Sequence, residues 1–166
     1  ALGVVLCIYI YLSGAVLLAA VASAVIAADE GPFAVLPFLN GLAAPDTPGK
    51  VMLVLGTFLG MALGPMLAVT ALHGRDVSSL FGDGAEWLRG FLAGLLAVVV
   101  LYAPLLALAF WIDPPDSNLG LTRWLLLLPL AIPLLFLQIA AEELLFRGYL
   151  QQQLAARFTA RIIWFW

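Results

Sequence analysis

The chain has 166 residues, of which 64% are hydrophobic and only 10% are charged. Soluble domains usually contain roughly 45–50% apolar and about 25% charged residues. Seven Lys and Arg with ten Asp and Glu cannot cover the surface of a water-soluble globule. The net charge of -3 excludes the basic surface that a nucleic-acid partner requires. The composition therefore predicts an integral membrane protein whose first partner is a lipid bilayer.

Four apolar segments are long enough to cross the bilayer as helices, because about 20 residues span its hydrocarbon core. They cover residues 2–28, 51–72, 90–112 and 124–141. An apolar restart at Ile162 predicts the beginning of a fifth span, and the apolar ends at Ala1 and Trp166 indicate a fragment of a longer protein. We therefore expect an all-α, polytopic transmembrane bundle that forms a single domain over 1–166 and is truncated at both ends.

Turn and cap residues separate the predicted spans. Residues 46–48 place a proline after two cap candidates, which predicts a helix start. Residues 82–84 and 113–116 are rich in Gly, Pro and Asp and predict connections between helices. The apolar segment 32–44 contains prolines and a glycine, so we expect it to lie in the interface or to re-enter the membrane. Arginines favour the 73–89 connection on the cytoplasmic side.

Small residues repeat at helical spacing in the first two spans. The second span carries Gly56, Gly60 and Gly64, and a matching stripe in the first span consists of Ala15, Ala19, Ser23 and Ala27. Such stripes let two helix backbones approach closely. The partner is either a helix of the same chain or a second copy, and a chain with several spans favours the intramolecular partner.

Three ionisable residues, Glu142, Glu143 and Arg147, interrupt the apolar run near the end of the fourth span. Glu143 and Arg147 are four residues apart with the acid first, which is the favourable order for a charge pair on a helix. Glu142 is rotated by about 100° from Glu143, so we expect it to point elsewhere, into a cavity between helices. A carboxylate in a poorly hydrated site is suited to take a proton from water near neutral pH.

The same charges also fit the end of a transmembrane helix. Glu142 lies about 27 Å from Trp124 at about 1.5 Å per residue, near the far edge of a core about 30 Å thick. From that position Arg147 can snorkel to water. Pro129 and Pro133 can kink the helix and leave the glutamates deeper in the membrane. Spacing alone leaves both interpretations open.

The run from Pro133 to Leu154 contains Glu-Glu-x-x-x-Arg followed by Gly-Tyr-Leu. It resembles the first motif of the CPBP family, the CAAX proteases and bacteriocin-processing enzymes, which includes the type II CAAX prenyl endopeptidases. The close match covers about a seventh of the chain. Family membership would imply a multi-helix intramembrane metalloprotease, in which Glu142 activates the attacking water while Glu143 and Arg147 shape and stabilise the site.

The resemblance also implies histidines in two later motifs, Phe-x-x-x-His and His-x-x-x-Asn or His-x-x-x-Asp. This chain contains neither motif, and its single histidine, His73, precedes the glutamates. We interpret His73 as an ordinary residue of the 73–89 connection. The resemblance makes zinc the candidate cofactor, with later ligands outside this chain, whereas Glu142 and Glu143 can serve either a metal or a metal-free base mechanism.

The resemblance therefore predicts part of an endopeptidase that hydrolyses peptide bonds of membrane-associated or prenylated proteins, in a bacterial cytoplasmic membrane. We expect this chain to be inactive alone. Two alternatives stay open: a non-proteolytic scaffold or immunity protein of the same family, and a transporter fragment in which Glu142, Glu143 and Arg147 form a charge relay. The sequence does not determine the oligomeric state.

Overall fold

The computed structural model describes residues 2–81, 87–114 and 119–158. Within these ranges the chain is helical and contains no β-strand. Four helical segments are long and apolar enough to cross a membrane, namely Leu2–Asp29, Pro48–His73, Leu88–Ile112 and Leu121–Arg157. The predicted all-α class with four apolar spans is therefore confirmed. The predicted fifth span at Ile162, the 82–84 connection and residues 115 and 116 lie outside the described ranges.

The α-helices of the described ranges are α1 (Leu2–Asp29), α2 (Val35–Gly41), α3 (Pro48–Gly56), α4 (Phe58–His73), α5 (Trp87–Ile112), α6 (Leu121–Glu143) and α7 (Gln151–Arg157). Two 3₁₀-helices, Pro32–Ala34 and Val77–Leu80, precede α2 and follow α4. A π-helix, Leu144–Leu150, joins α6 to α7 without a break.

The chain divides into two compact units, Ala1–Phe81 with Leu127–Trp166 and Gly82–Leu126. The second unit contains α5, an apolar helix with Pro104 in its interior. The prediction of a single domain over 1–166 stays a prediction.

In the first unit, α1 and α4 pack against each other through the glycine stripe. A Cβ atom on Gly60 would lie 3.2 Å from the carbonyl oxygen of Ile10, and one on Gly64 would lie 2.9 Å from the Cα of Cys7. Only residues without a side chain allow two backbones to come this close. The intramolecular partner predicted for the stripe is confirmed, and it is α1.

The second predicted span is not one uninterrupted helix. It begins at Pro48, as the proline after Thr47 predicts, and is interrupted at Thr57 between α3 and α4. The Thr57 hydroxyl donates to the carbonyl oxygen of Val54 at 2.7 Å, and the Thr57 amide donates to the same oxygen at 3.1 Å. These local bonds tighten the turn and interrupt the α-helical pattern.

The apolar segment 32–44 forms a 3₁₀-helix followed by α2. With seven residues, α2 is far too short to cross a bilayer, since about 20 residues are needed. Its placement in the interface or as a re-entrant segment stays a prediction.

The core of the first unit lies where α1, α4, the 77–80 turn and the fourth span meet. Its buried residues are Cys7, Ala62, Ala68, Val69, Leu80, Ala141, Leu144 and Tyr149. Most are small or apolar, whereas Tyr149 brings a hydroxyl group into this environment and is only 2% exposed. A buried hydroxyl needs a hydrogen-bond partner, so the partner of the Tyr149 hydroxyl is a candidate site residue.

Candidate functional site

The two glutamates stand at the junction between α6 and the π-helix. Glu143 is the last residue of α6, and the next seven residues adopt π-helical geometry. The amide of Gln151 donates to the carbonyl oxygen of Phe146, five residues earlier, which is the π-helical pattern. Because π-helical turns are rare and often occur at functional sites, this geometry singles out the predicted motif.

The predicted pair between Glu143 and Arg147 is confirmed. A guanidinium nitrogen of Arg147 lies 3.2 Å from a carboxylate oxygen of Glu143, across one helical turn. The Arg147 side chain is 76% exposed and that of Glu143 is 52% exposed. The described residues therefore do not enclose this pair, and exposed pairs of this kind contribute only about 0–1 kcal/mol in water.

Glu142 makes a different contact from its neighbour. The side-chain amide nitrogen of Gln138 donates to a carboxylate oxygen of Glu142 at 3.4 Å, one turn earlier in α6. The Glu142 side chain is exposed, so the cavity into which we expected it to point is not found among the described residues. An amide orients a carboxylate without neutralising its charge, whereas Arg147 neutralises that of Glu143.

The π-helix changes which residues share a face. Residues seven apart lie on the same side of a regular α-helix, so Glu142 and Tyr149 would face the same way. Instead Glu142 is exposed and Tyr149 is buried. A π-helix bonds each residue to one five positions away and holds more residues in each turn. Tyr149 is therefore rotated away from the side of the helix on which Glu142 lies.

Tyr149 reaches across the unit to His73, the last residue of α4. The Tyr149 hydroxyl and Nε2 of His73 are 3.1 Å apart, and the two rings are tilted by 42° with centroids 5.9 Å apart. The side-chain amide nitrogen of Gln153 lies 3.4 Å from the same histidine nitrogen. The interpretation of His73 as an ordinary loop residue is therefore wrong, because it ends a helix and contacts the buried tyrosine.

The space for the tyrosine ring comes from a glycine of α1. A Cβ atom on Gly3 would overlap the Tyr149 hydroxyl. Beside this contact lies a cavity of about 260 Å³, lined by Leu2, Gly3, Val4, Leu72, His73, Tyr149 and Gln153. Its lining is mixed: the larger apolar side chains come from Leu2, Val4 and Leu72, and the polar groups come from His73, Tyr149 and Gln153.

Sequence reasoning missed His73 and Tyr149 as a pair. They are 76 residues apart, so no local spacing connects them. The signals that the sequence does contain are a lone histidine at the end of an apolar span and a tyrosine next to the motif. Neither signal identifies the other partner.

The described residues do not assemble a zinc site. Over 2–81, 87–114 and 119–158, no group of three or more His, Cys, Asp and Glu side chains is placed to hold a metal ion. Protein zinc sites use three or four such ligands, and Glu142 and Glu143 supply at most two. No step of the chemistry below is therefore assigned to a metal.

Comparison of the chain with protein-family models, with curated proteins and with solved structures gives no match. Membership of the CPBP family, which rests on residues 133–154, therefore stays a proposal.

Proposed function

We propose that this chain is part of an intramembrane endopeptidase in which Glu142 accepts a proton from the attacking water. The observation that carries the proposal is the different environment of two adjacent carboxylates. Arg147 pairs with Glu143, whereas the neutral amide of Gln138 holds Glu142. Among the described residues Glu142 has no cationic partner, which leaves its carboxylate available to accept a proton, as general-base catalysis requires.

The proposed chemistry gives each residue one task. Glu142 takes a proton from a water molecule while the water oxygen attacks the carbonyl carbon of the scissile peptide bond. The C–N bond then breaks, and the same proton passes from Glu142 to the departing amine. Glu143 and Arg147 do not exchange protons in this scheme. Their ion pair keeps the arginine charge one helical turn from Glu143 and beside the site.

The proposal requires further groups around Glu142. Its exposed side chain must be covered by substrate or by another segment, because general-base catalysis gains from exclusion of bulk water. The resemblance implies histidines on later helices that activate the water together with Glu142, whereas His73 contacts Tyr149. The test therefore uses the longest natural polypeptide that contains these residues, in membranes or detergent.

The proposed substrate class has two sources. Four apolar segments of membrane-spanning length suggest a bilayer environment, so the proposed substrates are membrane-associated proteins, and the resemblance adds prenylated proteins. A bacterial cytoplasmic membrane is part of the same proposal, carried by the resemblance.

The decisive experiment measures cleavage of a membrane-anchored reporter peptide. Glu142→Gln should lower kcat by about 10²–10⁴-fold, because it removes the proton acceptor with little change in volume. The control is Glu30→Gln, which changes an exposed glutamate directly after α1 and should leave cleavage unchanged. Normal turnover by Glu142→Gln would falsify the assignment.

The two alternatives predict other results from the same variants. A scaffold or immunity protein shows no cleavage in the wild type, and Glu142→Gln leaves its partner binding intact. A transporter shows no cleavage either, but Glu142→Gln and Arg147→Gln both change a proton or ion flux into vesicles.

A further inference from the structure

One short segment, residues 73–80, holds the buried side of the π-helical turn and the start of α7. His73 contacts the Tyr149 hydroxyl at 3.1 Å. The side-chain nitrogen of Gln152 donates to the carbonyl oxygen of Ser79 at 3.0 Å. Arg75 in turn donates to the side-chain oxygen of Gln152 at 2.9 Å. Two side chains of the fourth span, those of Tyr149 and Gln152, are thus held by residues 73–79 of this segment.

The backbone of the π-helix lies against the same segment. A Cβ atom on Gly148 would lie 2.9 Å from the carbonyl oxygen of Leu80. Leu80 is itself buried, and its oxygen belongs to the backbone and has little freedom to move. Gly148 therefore permits a close approach that another residue would prevent.

The contacts of the 73–80 segment with the π-helix also affect the direction of the Glu142 side chain. A π-helix is rare and occurs mostly as single turns inside α-helices, so we attribute its persistence here to the surrounding contacts. If the turn relaxed to α-helix, Tyr149 and Glu142 would move to the same face. The contacts that keep Tyr149 buried therefore also fix the direction in which the Glu142 side chain points.

We propose that His73, Tyr149 and Gln152 form a clamp that positions Glu142 by holding the π-helical register. They are positioning residues, since their contacts are with one another and with the 73–80 segment. This inference rests on the proposed function for its effect on catalysis, but the clamp itself can be measured without any substrate.

The first test measures amide hydrogen exchange of residues 144–150 in detergent. Tyr149→Phe keeps the ring and removes the hydroxyl, and Gln152→Ala removes both of its bonds. Each should accelerate exchange in 144–150 by about tenfold, the effect of losing roughly one hydrogen bond. The matched control is Gln151→Ala, which changes an exposed glutamine one position away and should leave exchange unchanged.

The second test measures peptide cleavage by the same variants in the longest natural polypeptide. Tyr149→Phe and Gln152→Ala should lower kcat by about tenfold with KM unchanged, because a misdirected base weakens the reaction step rather than substrate binding. His73→Gln retains a polar side chain that can form a hydrogen bond with the tyrosine hydroxyl and should keep most of the activity, whereas His73→Ala should not.

The two proposals fail in different ways. Wild-type exchange in both Tyr149→Phe and Gln152→Ala would overturn the clamp, whatever the activity. Faster exchange with unchanged kcat would confirm a structural clamp and overturn its positioning role. Full activity of Glu142→Gln would overturn the proposed function and leave the exchange result standing.

Discussion

The fourth span has two faces that differ in almost every respect. One face consists of Ala141, Leu144, Gly148 and Tyr149, and it is buried in the core of the first unit. The other face consists of Glu142, Glu143 and Arg147, and it is exposed. The first face contacts α4 and the 77–80 turn. Among the described residues, the polar contacts of the second face join side chains one turn apart on the same helix.

This difference separates stability from function. Buried, close-packed positions dominate folding energetics, whereas exposed charges one helical turn apart add little. Three ionisable residues on an apolar segment are therefore poorly explained by stability. Ionisable residues that do lie inside a membrane more often serve binding or chemistry, and the proposed role of Glu142 is of that kind.

The largest stability effect should come from the buried face, at Gly148. Gly148→Ala places a Cβ atom 2.9 Å from the carbonyl oxygen of Leu80, and the backbone must shift to accept it. We expect destabilisation of about 1–3 kcal/mol, as for other over-packed sites. Unfolding in mixed detergent and denaturant measures this value. Wild-type stability would show that this face is not tightly packed.

A matched change in α5 should have the opposite sign. A Cβ atom on Gly94 would meet nothing within 4 Å in the described structure, and Gly94 lies inside a helix. Gly94→Ala should stabilise the protein by about 0.5–1 kcal/mol, because alanine loses less backbone entropy in a helix. The same unfolding assay applies. A clear loss of stability would instead reveal another surface packed against Gly94.

On the charged face, the coupling between Glu143 and Arg147 should be small. A double-mutant cycle with Glu143→Gln and Arg147→Met should give a coupling energy under about 1 kcal/mol in detergent, because both side chains are largely exposed. Arg147→Lys should match the wild type in stability. A coupling above about 3 kcal/mol would mean that the pair is desolvated in the folded protein.

A second pair with the same spacing joins Asp46, which precedes the second span, to Lys50 in the first turn of that span. It should show the smallest effect. Lys50 is 2.7 Å from Asp46 and donates a hydrogen bond to it, which lowers the pKa of Asp46 from its ordinary 3.8. The associated stabilisation is present above pH 3.8 and is lost as the pH falls through the lower pKa of the folded state. In Lys50→Met the pKa of Asp46 should return toward 3.8, as measured by carbon NMR. An unchanged titration would show that the pair does not form in solution.

The features that the sequence predicted are governed by local spacing. The apolar spans, the helix start at Pro48, the charge pair of Glu143 with Arg147 and the small-residue stripe containing Gly60 all follow from helical periodicity. The sequence also predicted correctly that the glycines pack within the chain. What it did not supply was the identity of α1 as their partner.

The features that were missed depend on tertiary contacts or on a change in helical phase. Tyr149 and His73 meet only because α4 and the fourth span pack in the same unit, and their separation of 76 residues has no local signature. The π-helix after Glu143 shifts the phase that a regular wheel assumes. The expectation that Glu142 points into a cavity had a different basis, its rotation from Glu143 within α6, and the described structure exposes its side chain instead.

The length of the fourth span affects the hydration of the Glu142 carboxylate. Its 37 residues extend about 55 Å, against a hydrocarbon core about 30 Å thick. Even at a tilt of about 40°, only about 26 residues fit inside that core, so about 11 must protrude. If the core begins near Leu121, an upright helix brings Glu142 to the opposite surface, and a strongly tilted one carries it about four residues inside. Bilayer thickness, through helix tilt, would then control how much water reaches the carboxylate.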